Sequence, residues 1–336
     1  MGLAAVWKNN KVGFIDKKNN FAIPMIYEDA QMPSESFIAV KNNGKWGFID
    51  FAGDIRISMI YDRVGPFKEG LAAVQFHSEF YKGVSYFDAE LELPLDAKFG
   101  FVDRSGKEIV KIEHDVRLKV HERVFNLVGI GNLNKSWREW SFLPLPTYSE
   151  GLVVLKKDGK WGFINTRGKI EIQFICDWAG AFSEGLAPIA IDGKYGYINK
   201  VGRIAIALTY DEAGWFSEGL APVRIDDEWN FIDSTGEVIL EIFDNDRINS
   251  LSSFSDGLAV AGLQGWDADG YYEYNKHYVI YDKGGECIGS RSDRLFDFSN
   301  GLALAIDYNL DEKKEMEYYV DTTGKIYIDI WEGMWE

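Results

Sequence analysis

The residues with the most evident chemical potential are acids that recur at fixed places. An Asp-x-x-Gly tetrad, or its Asn variant, returns along the chain as Asp50–Gly53, Asp103–Gly106, Asn165–Gly168, Asn199–Gly202, Asp233–Gly236, Asp282–Gly285 and Asp321–Gly324. Such a row could suggest calcium binding, but a calcium loop needs several oxygen ligands at alternate positions and this tetrad supplies one. A catalytic pair is expected at one special place, not in every copy. We therefore interpret the tetrads as turns in which Asp or Asn accepts backbone amides and Gly adopts a left-handed conformation.

Other reactive side chains form no recognisable site in the sequence. Glu69, Glu184 and Glu218 each precede a Gly in a Phe-x-Glu-Gly-Leu-Ala segment, and we interpret them as turn residues and not as general acids. The four histidines are scattered, so a zinc site is not predicted. Cys176 and Cys287 lie far apart and outside any nucleophile motif. The sequence predicts no catalytic residue, no metal and no cofactor.

The charge balance limits the class of partner. Lys and Arg number 36 against 53 Asp and Glu, giving a formal charge of −17. Nucleic-acid binders need a basic footprint, and an anionic membrane surface would repel this chain. The first residues lack the basic start and apolar run of a signal peptide, and no stretch reaches the length of a membrane span. We expect a cytoplasmic protein without membrane insertion.

Internal repetition dominates the organisation of the chain. Lys45–Asp50, which reads Lys-Trp-Gly-Phe-Ile-Asp, returns closely as Lys160–Asn165 and Lys194–Asn199. An acid also recurs twelve residues after the last residue of the motif, as Asp62 follows Asp50. We predict a single array over residues 1–336 of about nine units starting near 2, 36, 70, 123, 151, 185, 219, 257 and 301, with inserts near 75–97, 116–148, 262–276 and 307–317. The motif residues expected to be structural are Trp46, Gly47, Asp50, Gly53, Trp161, Gly162, Gly168, Gly196, Gly202, Asp233 and Gly236.

This motif, with its spacing and order, resembles the bacterial WG-repeat family, which is named for its Trp-Gly dipeptide. The resemblance implies an all-β tandem array with no established catalytic activity. The chain departs from the pattern where Asn230, Val279 and Tyr318 occupy the glycine position.

The motif predicts an all-β fold. Trp46 and Phe48 alternate with Gly47 and Ile49, so the aromatic face is expected to pack on the next repeat. A glycine inside a strand marks the close approach of another chain segment. We predict two or three short antiparallel strands per unit, stacked as an elongated or superhelical solenoid. The alternative is a closed, propeller-like ring, although 34 residues are few for a four-stranded blade.

The inserts are the candidate binding sites, because insertions in repeat proteins map to loops on one face. The candidate residues are Trp137, Trp140, Trp266, Tyr271, Tyr272 and Tyr274. A third insert carries Phe76, Phe80, Tyr81, Tyr86 and Phe87. These rings could grip a carbohydrate or a cationic peptide, or they could complete the local core.

Three functions remain open from the sequence. The first is a non-catalytic binding or scaffold module for a protein or peptide, and the second is a carbohydrate- or cell-envelope-binding protein. The third is a glycan-active propeller enzyme, which would need two convergent carboxylates. The oligomeric state cannot be read from the sequence.

Overall fold

The computed structural model describes residues 3–76, 80–84, 90–94, 98–115, 146–242, 248–266, 272–291, 294–295, 298, 301–309, 314–323 and 326–328. Every regular element within these ranges is a β-strand, and every strand pair is antiparallel, which confirms the all-β prediction. The chain divides into two compact units, Met1–Leu118 with Asn134–Cys176 and Lys119–Leu133 with Asp177–Glu336.

The described residues of the first unit form four meander sheets and one added hairpin. Its strands are β1 (Ala4–Lys8), β2 (Lys11–Ile15) and β3 (Phe21–Tyr27); β4 (Asp29–Ala30), β5 (Phe37–Asn42), β6 (Lys45–Asp50) and β7 (Ile55–Tyr61); β8 (Arg63–Val64), β9 (Leu71–Phe76), β12 (Lys98–Asp103) and β13 (Glu108–Asp115); β14 (Leu152–Lys157), β15 (Lys160–Asn165) and β16 (Ile170–Cys176). The added hairpin pairs β10 (Phe80–Val84) with β11 (Glu90–Pro94).

The second unit contains four four-stranded meander sheets. Its strands are β17 (Trp178–Ala179), β18 (Leu186–Ile191), β19 (Lys194–Asn199) and β20 (Ile204–Tyr210); β21 (Glu212–Ala213), β22 (Ala221–Ile225), β23 (Glu228–Ile232) and β24 (Val238–Glu241); β25 (Ile248–Leu251), β26 (Leu258–Trp266), β27 (Tyr272–Asp282) and β28 (Cys287–Arg291); β29 (Arg294–Leu295), β30 (Leu302–Asn309), β31 (Lys314–Asp321) and β32 (Ile326–Ile328).

Six of these sheets have one strand more than the sequence predicts. The extra first strand, such as β4 or β17, is in most of them two residues long and begins directly after the acid that follows the motif. A two-residue strand shows no alternation of polar and apolar residues, so no pattern marks it. The length argument against a four-stranded unit is therefore wrong. The choice between an open stack and a closed ring, and the predicted copy near residue 123, stay predictions, because residues 116–145 lie outside the described ranges.

The glycine of the motif permits a bulge in the fourth strand of the sheet. In the register of β6 with β7, Trp46 faces Tyr61 and Phe48 faces Ile57, so three motif residues lie opposite five residues of the next strand. A Cβ atom on Gly47 would lie 2.5 Å from the carbonyl oxygen of Ile57. The predicted close approach is confirmed, and the neighbour is the backbone of the same repeat.

Successive sheets within each unit pack through the second aromatic residue of the motif. Phe48 is fully buried, and its ring centroid lies 4.8 Å from that of Phe67 in the next repeat. The same contact recurs in both units, as Phe101–Tyr148, Tyr197–Phe216 and Phe231–Phe254. Buried aromatic pairs of this kind contribute about 0.5–1.5 kcal/mol beyond the area they bury. The stacking of repeats on their aromatic faces is therefore confirmed within each unit.

The glycine that closes each Asp-x-x-Gly turn provides a second contact between repeats. A Cβ atom on Gly53 would lie 3.6 Å from Ile23, and one on Gly236 would lie 3.0 Å from Ile206, both in the preceding repeat. At Gly168 it would collide with the carbonyl oxygen of Ile109. These turns thus contact the last strand of the previous sheet.

Candidate binding surface

The motif strand and the strand before it are joined by what we call the motif turn. In five repeats this turn has two residues, both with positive φ: Asn9–Asn10, Asn43–Gly44, Asp158–Gly159, Asp192–Gly193 and Asp226–Asp227. Two consecutive residues of positive φ define a type I′ turn, whose twist matches that of the flanking strands. The Asn-Gly and Asp-Gly dipeptides were signals for these turns that sequence reasoning missed.

Three predicted inserts emerge at this same motif turn. Pairing continues through Phe76–Lys98, Leu263–His277 and Asp307–Met316, beyond which the other repeats have a two-residue turn. The inserts contain strands: β10 and β11 form a separate hairpin, and β26–β27 and β30–β31 are extended hairpins. An array that grows at one equivalent point in three repeats can vary its surface without changing how its sheets stack.

Only some of the predicted aromatic residues lie within the described part of the chain. Trp266 and Tyr272 lie directly opposite each other near the tip of the β26–β27 hairpin, and Tyr274 lies in β27. Trp137, Trp140 and Tyr271 lie outside the described residues, as do Tyr86 and Phe87. Phe80 and Tyr81 lie in β10.

Two aromatic residues beside the inserts differ in their burial. Tyr148 is fully buried, packs on Phe101 and donates a hydrogen bond to the carbonyl oxygen of Asn165. Phe76 remains 36% exposed and lies 5.1 Å from the ring of Tyr61. At Tyr148 the ring completes the core and is not available to a ligand.

The Asp-x-x-Gly acids cap turns, as predicted. Asp50 Oδ1 accepts the amides of Ala52 and Asp54 at 2.9 and 3.0 Å. The hydrogen bond from Arg56, followed by these amides, holds the pKa of Asp50 below its usual value. Gly53 has φ +87° and donates its amide to the Asp50 carbonyl. An acid that holds its own turn in this way is structural.

The Glu-Gly acids have a role that the sequence did not reveal. Glu184 has φ +52°, a conformation that costs a non-glycine residue about 1 kcal/mol. Its carboxylate accepts the amide of Gly219 in the next repeat at 3.0 Å. We call this bond the carboxylate clasp. It recurs as Glu35–Gly70, Glu69–Gly151, Glu218–Gly257 and Asp256–Gly301. Because the partner lies at least 35 residues ahead, local spacing gives no sign of it.

In three repeats, the acid that follows the last strand of a sheet caps the motif turn of the next sheet. Glu28 accepts the amides of Asn43 and Gly44, each at 2.9 Å. Asp211 accepts the amide of Asp226 at 3.1 Å and pairs with Lys194 at 2.6 Å. The hydrogen bond from Lys194 is the main cause of the lowered pKa of Asp211. The three recurring acids of the repeat thus serve its turns and the contacts between sheets.

The described part of the chain offers no metal-binding group and no membrane-crossing helix. Its His, Cys, Asp and Glu side chains contain no group of three that could hold a metal ion. It also contains no helix with the length and apolarity needed to cross a membrane.

Fold and surface together define a tandem all-β repeat protein with variable motif turns. The family model for the WG containing repeat matches residues 13–46, 46–78, 161–195 and 195–229. Four WG repeats are therefore present in the chain, as the resemblance implied. No curated protein matches its sequence.

Several solved structures are similar to this chain at low sequence identity. Hsv2 of Kluyveromyces lactis is 9% identical over 87% of this chain and 96% of its own, with a TM-score of 0.42. The dihydro-heme d1 dehydrogenase NirN is 10% identical over 97% of this chain and 72% of its own, with a TM-score of 0.46. The β-propeller domain of the trilobed protease of Pyrococcus furiosus is 11% identical over 97% and 92%, with a TM-score of 0.37. All three TM-scores lie below 0.5, so the fold is assigned from the strand pairing alone.

Proposed function

We propose that this protein is a non-catalytic binding module that holds a protein or peptide partner on the hairpins extending its motif turns. The observation that carries the proposal is the shared origin of three inserts at one equivalent turn, where five other repeats have two residues. Loops carried by a rigid scaffold are where binding residues concentrate. The formal charge of −17 favours a partner with a basic surface.

The carboxylates of the repeat support a scaffold in preference to a catalyst. Asp50, Glu184 and Asp211 each hold a turn or a neighbouring sheet through hydrogen bonds. The location of the protein in the cytoplasm, and the exclusion of nucleic acid as a partner, belong to the same proposal.

The proposal is tested by replacing one hairpin with a minimal turn. Substituting Asn-Gly for residues 264–276 joins Leu263 to His277 by the turn found at Asn43–Gly44. Shortening a surface connection in this way changes the free energy of unfolding by about 1 kcal/mol or less. A matched control replaces Asn43-Gly44 with Asp-Gly, as at Asp192–Gly193, in a repeat without an insert.

Affinity purification from the native cell then compares the unaltered protein, the Asp-Gly control and the 264–276 replacement. We expect a partner that the unaltered protein and the Asp-Gly control retain and the 264–276 replacement loses, and the purified partner should bind directly with the same pattern. Two further proteins carry Asn-Gly in place of residues 77–97 and 308–315. Retention of every partner by all three replacements would overturn the proposal.

A carbohydrate ligand is the second candidate, favoured by the aromatic content of the inserts. Trp266 lies opposite Tyr272 at the tip of one hairpin, and aromatic residues are common on sugar-binding surfaces. A glycan array probed with the same replacement distinguishes the candidates. Glycan binding that disappears with residues 264–276 would favour the carbohydrate ligand over the peptide.

A further inference from the structure

Strand β1 lacks a neighbour that six equivalent strands of the protein have. Those strands, β5, β9, β18, β22, β26 and β30, each pair with a first strand of their sheet, whereas β1 pairs only with β2 within the described residues. Burial follows this difference, because Ile189 in β18 is 2% exposed and its equivalent in β1, Val6, is half-buried. Trp7, the next residue, is 57% exposed. Among the described strands, β1 therefore presents an open sheet edge.

The other three-stranded sheet, β14–β16, differs from the sheet of β1 in its burial. Val153 and Leu155 in β14 are buried, although no described residue supplies a first strand there. Their equivalents in β1 are Ala4, which is exposed, and Val6. The edge of β1 is thus the more accessible of the two.

The repeats that have a first strand show what such an edge binds. In the sheet of β18, two main-chain amides of the incoming segment donate to carbonyl oxygens of the edge: Gly180 to Pro188 at 2.9 Å, and Asp177 to Ala190 at 2.8 Å. β1 pairs with its motif strand in the same register as β18 does. The carbonyl groups of Ala5 and Trp7 therefore take the places of the two acceptors.

The acid that precedes a first strand makes a second contact with the sheet it joins. Glu28 accepts the two amides of the motif turn, Asn43 and Gly44, at 2.9 Å each. The turn after β1 is Asn9–Asn10, and both of its residues have the same positive φ. No acid among the described residues caps this turn. Consecutive amides of this kind form a concave anion-binding surface.

The charge beside the uncapped turn is positive in an otherwise acidic chain. Residues 1–20 contain four lysines and one acid. Lys8, which directly precedes the turn, is exposed. In the three repeats whose turn is capped, the same place holds an uncharged residue, Asn42, Ile191 or Ile225. The local charge at β1 therefore favours a carboxylate.

Side-chain size adds a preference at the strand itself. In three first strands an alanine faces a β-branched residue of the edge, as Ala30–Val40, Ala179–Ile189 and Ala213–Val223. Val6 is the equivalent residue of β1. Directly opposed side chains are the unit of contact between strands, so an alanine opposite Val6 repeats a pairing that the chain already uses.

We propose that β1 and the Asn9–Asn10 turn form a docking edge for an extended segment of a partner protein that reads acid, any residue, alanine, glycine. The segment joins the sheet antiparallel to β1. Its carboxylate accepts the amides of the turn, and its glycine amide donates to the carbonyl oxygen of Ala5. Main-chain bonds at a sheet edge supply affinity, and alternate side chains supply specificity. No insert takes part, so the inference is independent of the proposed function.

Three peptides test the two kinds of contact. The probe is a fluorescein-labelled Gly-Gly-Asp-Ser-Ala-Gly-Gly amide. One counterpart has Asn in place of Asp, and the other has N-methylglycine in place of the glycine that follows alanine. Fluorescence anisotropy with the full chain at constant ionic strength gives the dissociation constants. We expect the Asn peptide to bind at least about tenfold more weakly and the N-methyl peptide at least about threefold more weakly.

A variant that supplies the missing strand from its own chain locates the probe. A copy of residues 211–218 is placed directly before Gly2, because Gly2 and Gly219 each lie two residues before the alanine that pairs with the last isoleucine of the motif. The matched control carries a Gly-Ser extension of equal length. We expect the control to bind the probe like the unaltered protein and the strand variant to bind at least about tenfold more weakly.

Several results would overturn the proposal. Equal binding of the Asp and Asn peptides would remove the turn contact, and equal binding by the strand variant and its control would place the probe elsewhere. No saturable binding by the unaltered protein up to about 1 mM peptide would show that the edge is closed or occupied. Dimers of the unaltered protein that the strand variant abolishes would identify a second copy as the occupant. An unfolding midpoint of the strand variant below that of its control would contradict a completed sheet.

Discussion

Repeats with glycine in the motif differ from repeats without it at one point of the sheet. In the repeats with glycine, three motif residues lie opposite five residues of the next strand, at Gly13, Gly47, Gly100, Gly162 and Gly196. Where Val279 or Tyr318 replaces it, the register runs residue against residue, and Asn230 likewise faces Glu241 without that bulge. Among the described repeats, the presence of the bulge follows the identity of this single residue.

The comparison shows that the glycine determines local register and not stacking. The aromatic contact between repeats is present in both classes, as Phe48–Phe67 and as Phe231–Phe254. The carboxylate clasp also occurs in both, as Glu184–Gly219 and as Asp256–Gly301. The family matches end at Trp229, one residue before Asn230, so they miss later repeats that still stack.

The largest expected effect comes from exchanging the two residue types at the glycine position. Gly47→Val places a Cβ atom 2.5 Å from the Ile57 carbonyl oxygen, so the bulge cannot form as it stands. We expect a loss of about 3–5 kcal/mol in unfolding free energy, measured by urea denaturation. The reverse change, Val279→Gly, removes a buried side chain without a collision and is expected to cost about 1–2 kcal/mol.

A glycine in the other class provides the control for this exchange. Gly289 faces Ile280 in regular register, and a Cβ atom there meets its nearest neighbour at an ordinary 3.8 Å. Gly289→Ala should therefore be neutral within about 0.5 kcal/mol. A loss at Gly47→Val no greater than that at Gly289→Ala would contradict the role assigned to the glycine.

The carboxylate clasp is expected to contribute the same free energy of unfolding in repeats with the motif glycine and in repeats without it. Glu184→Ala and Asp256→Ala each remove one charged acceptor from a glycine amide and should each cost about 1–2 kcal/mol by thermal or urea unfolding. Glu184→Gly should cost less than Glu184→Ala, because glycine relieves the positive φ that alanine keeps. Costs that differ severalfold between Glu184 and Asp256 would tie the clasp to the glycine motif.

Acidification should weaken the clasp at Glu218. The hydrogen bond from Lys283, followed by the Gly257 amide, lowers the pKa of Glu218 below its usual 4.5. A carboxyl whose folded pKa is lowered stabilises the fold fully above its usual pKa, and this stability is lost as pH falls through the folded value. Unfolding free energies measured between pH 7 and pH 3 should therefore fall more steeply below about pH 4.5 for the unaltered protein than for Glu218→Gln. Identical slopes would contradict this assignment.

The smallest effect is expected on the exposed side of the fourth strand. Ile60, in a repeat with glycine, is 49% exposed, and Ile288, in a repeat without it, is 47% exposed. Ile60→Thr and Ile288→Thr should each change stability by less than about 0.5 kcal/mol, because a β-branched residue is kept and little area is lost. A large loss at Ile60 alone would show that the bulge strand is held by more than its glycine.

The sequence specified those features that depend on neighbouring residues. Gly47 indicated a close approach and Asp50 indicated a turn. Both features depend on residues near in sequence, as a strand glycine and an Asp-x-x-Gly tetrad do. The two-residue first strands were not predicted, because two residues such as Asp29 and Ala30 show no alternation of polar and apolar side chains. The clasp was missed because Glu184 meets a residue in another repeat.

The sequence predicted the candidate binding residues only from the aromatic composition of the inserts. Aromatic residues in inserts indicated a surface, and Trp266 and Tyr272 do lie opposite each other on one hairpin. The common origin of the inserts at the motif turn depends on register, which the insert sequences do not contain.

The central claim is that sheets stack in series through the second aromatic residue of the motif. A double-mutant cycle on Phe48 and Phe67, each changed to Ala, measures that contact directly by urea unfolding. We expect each single change to cost about 3–5 kcal/mol and the two to couple by about 1 kcal/mol, with a similar coupling between Phe231 and Phe254. Strictly additive losses in both pairs would contradict the claim.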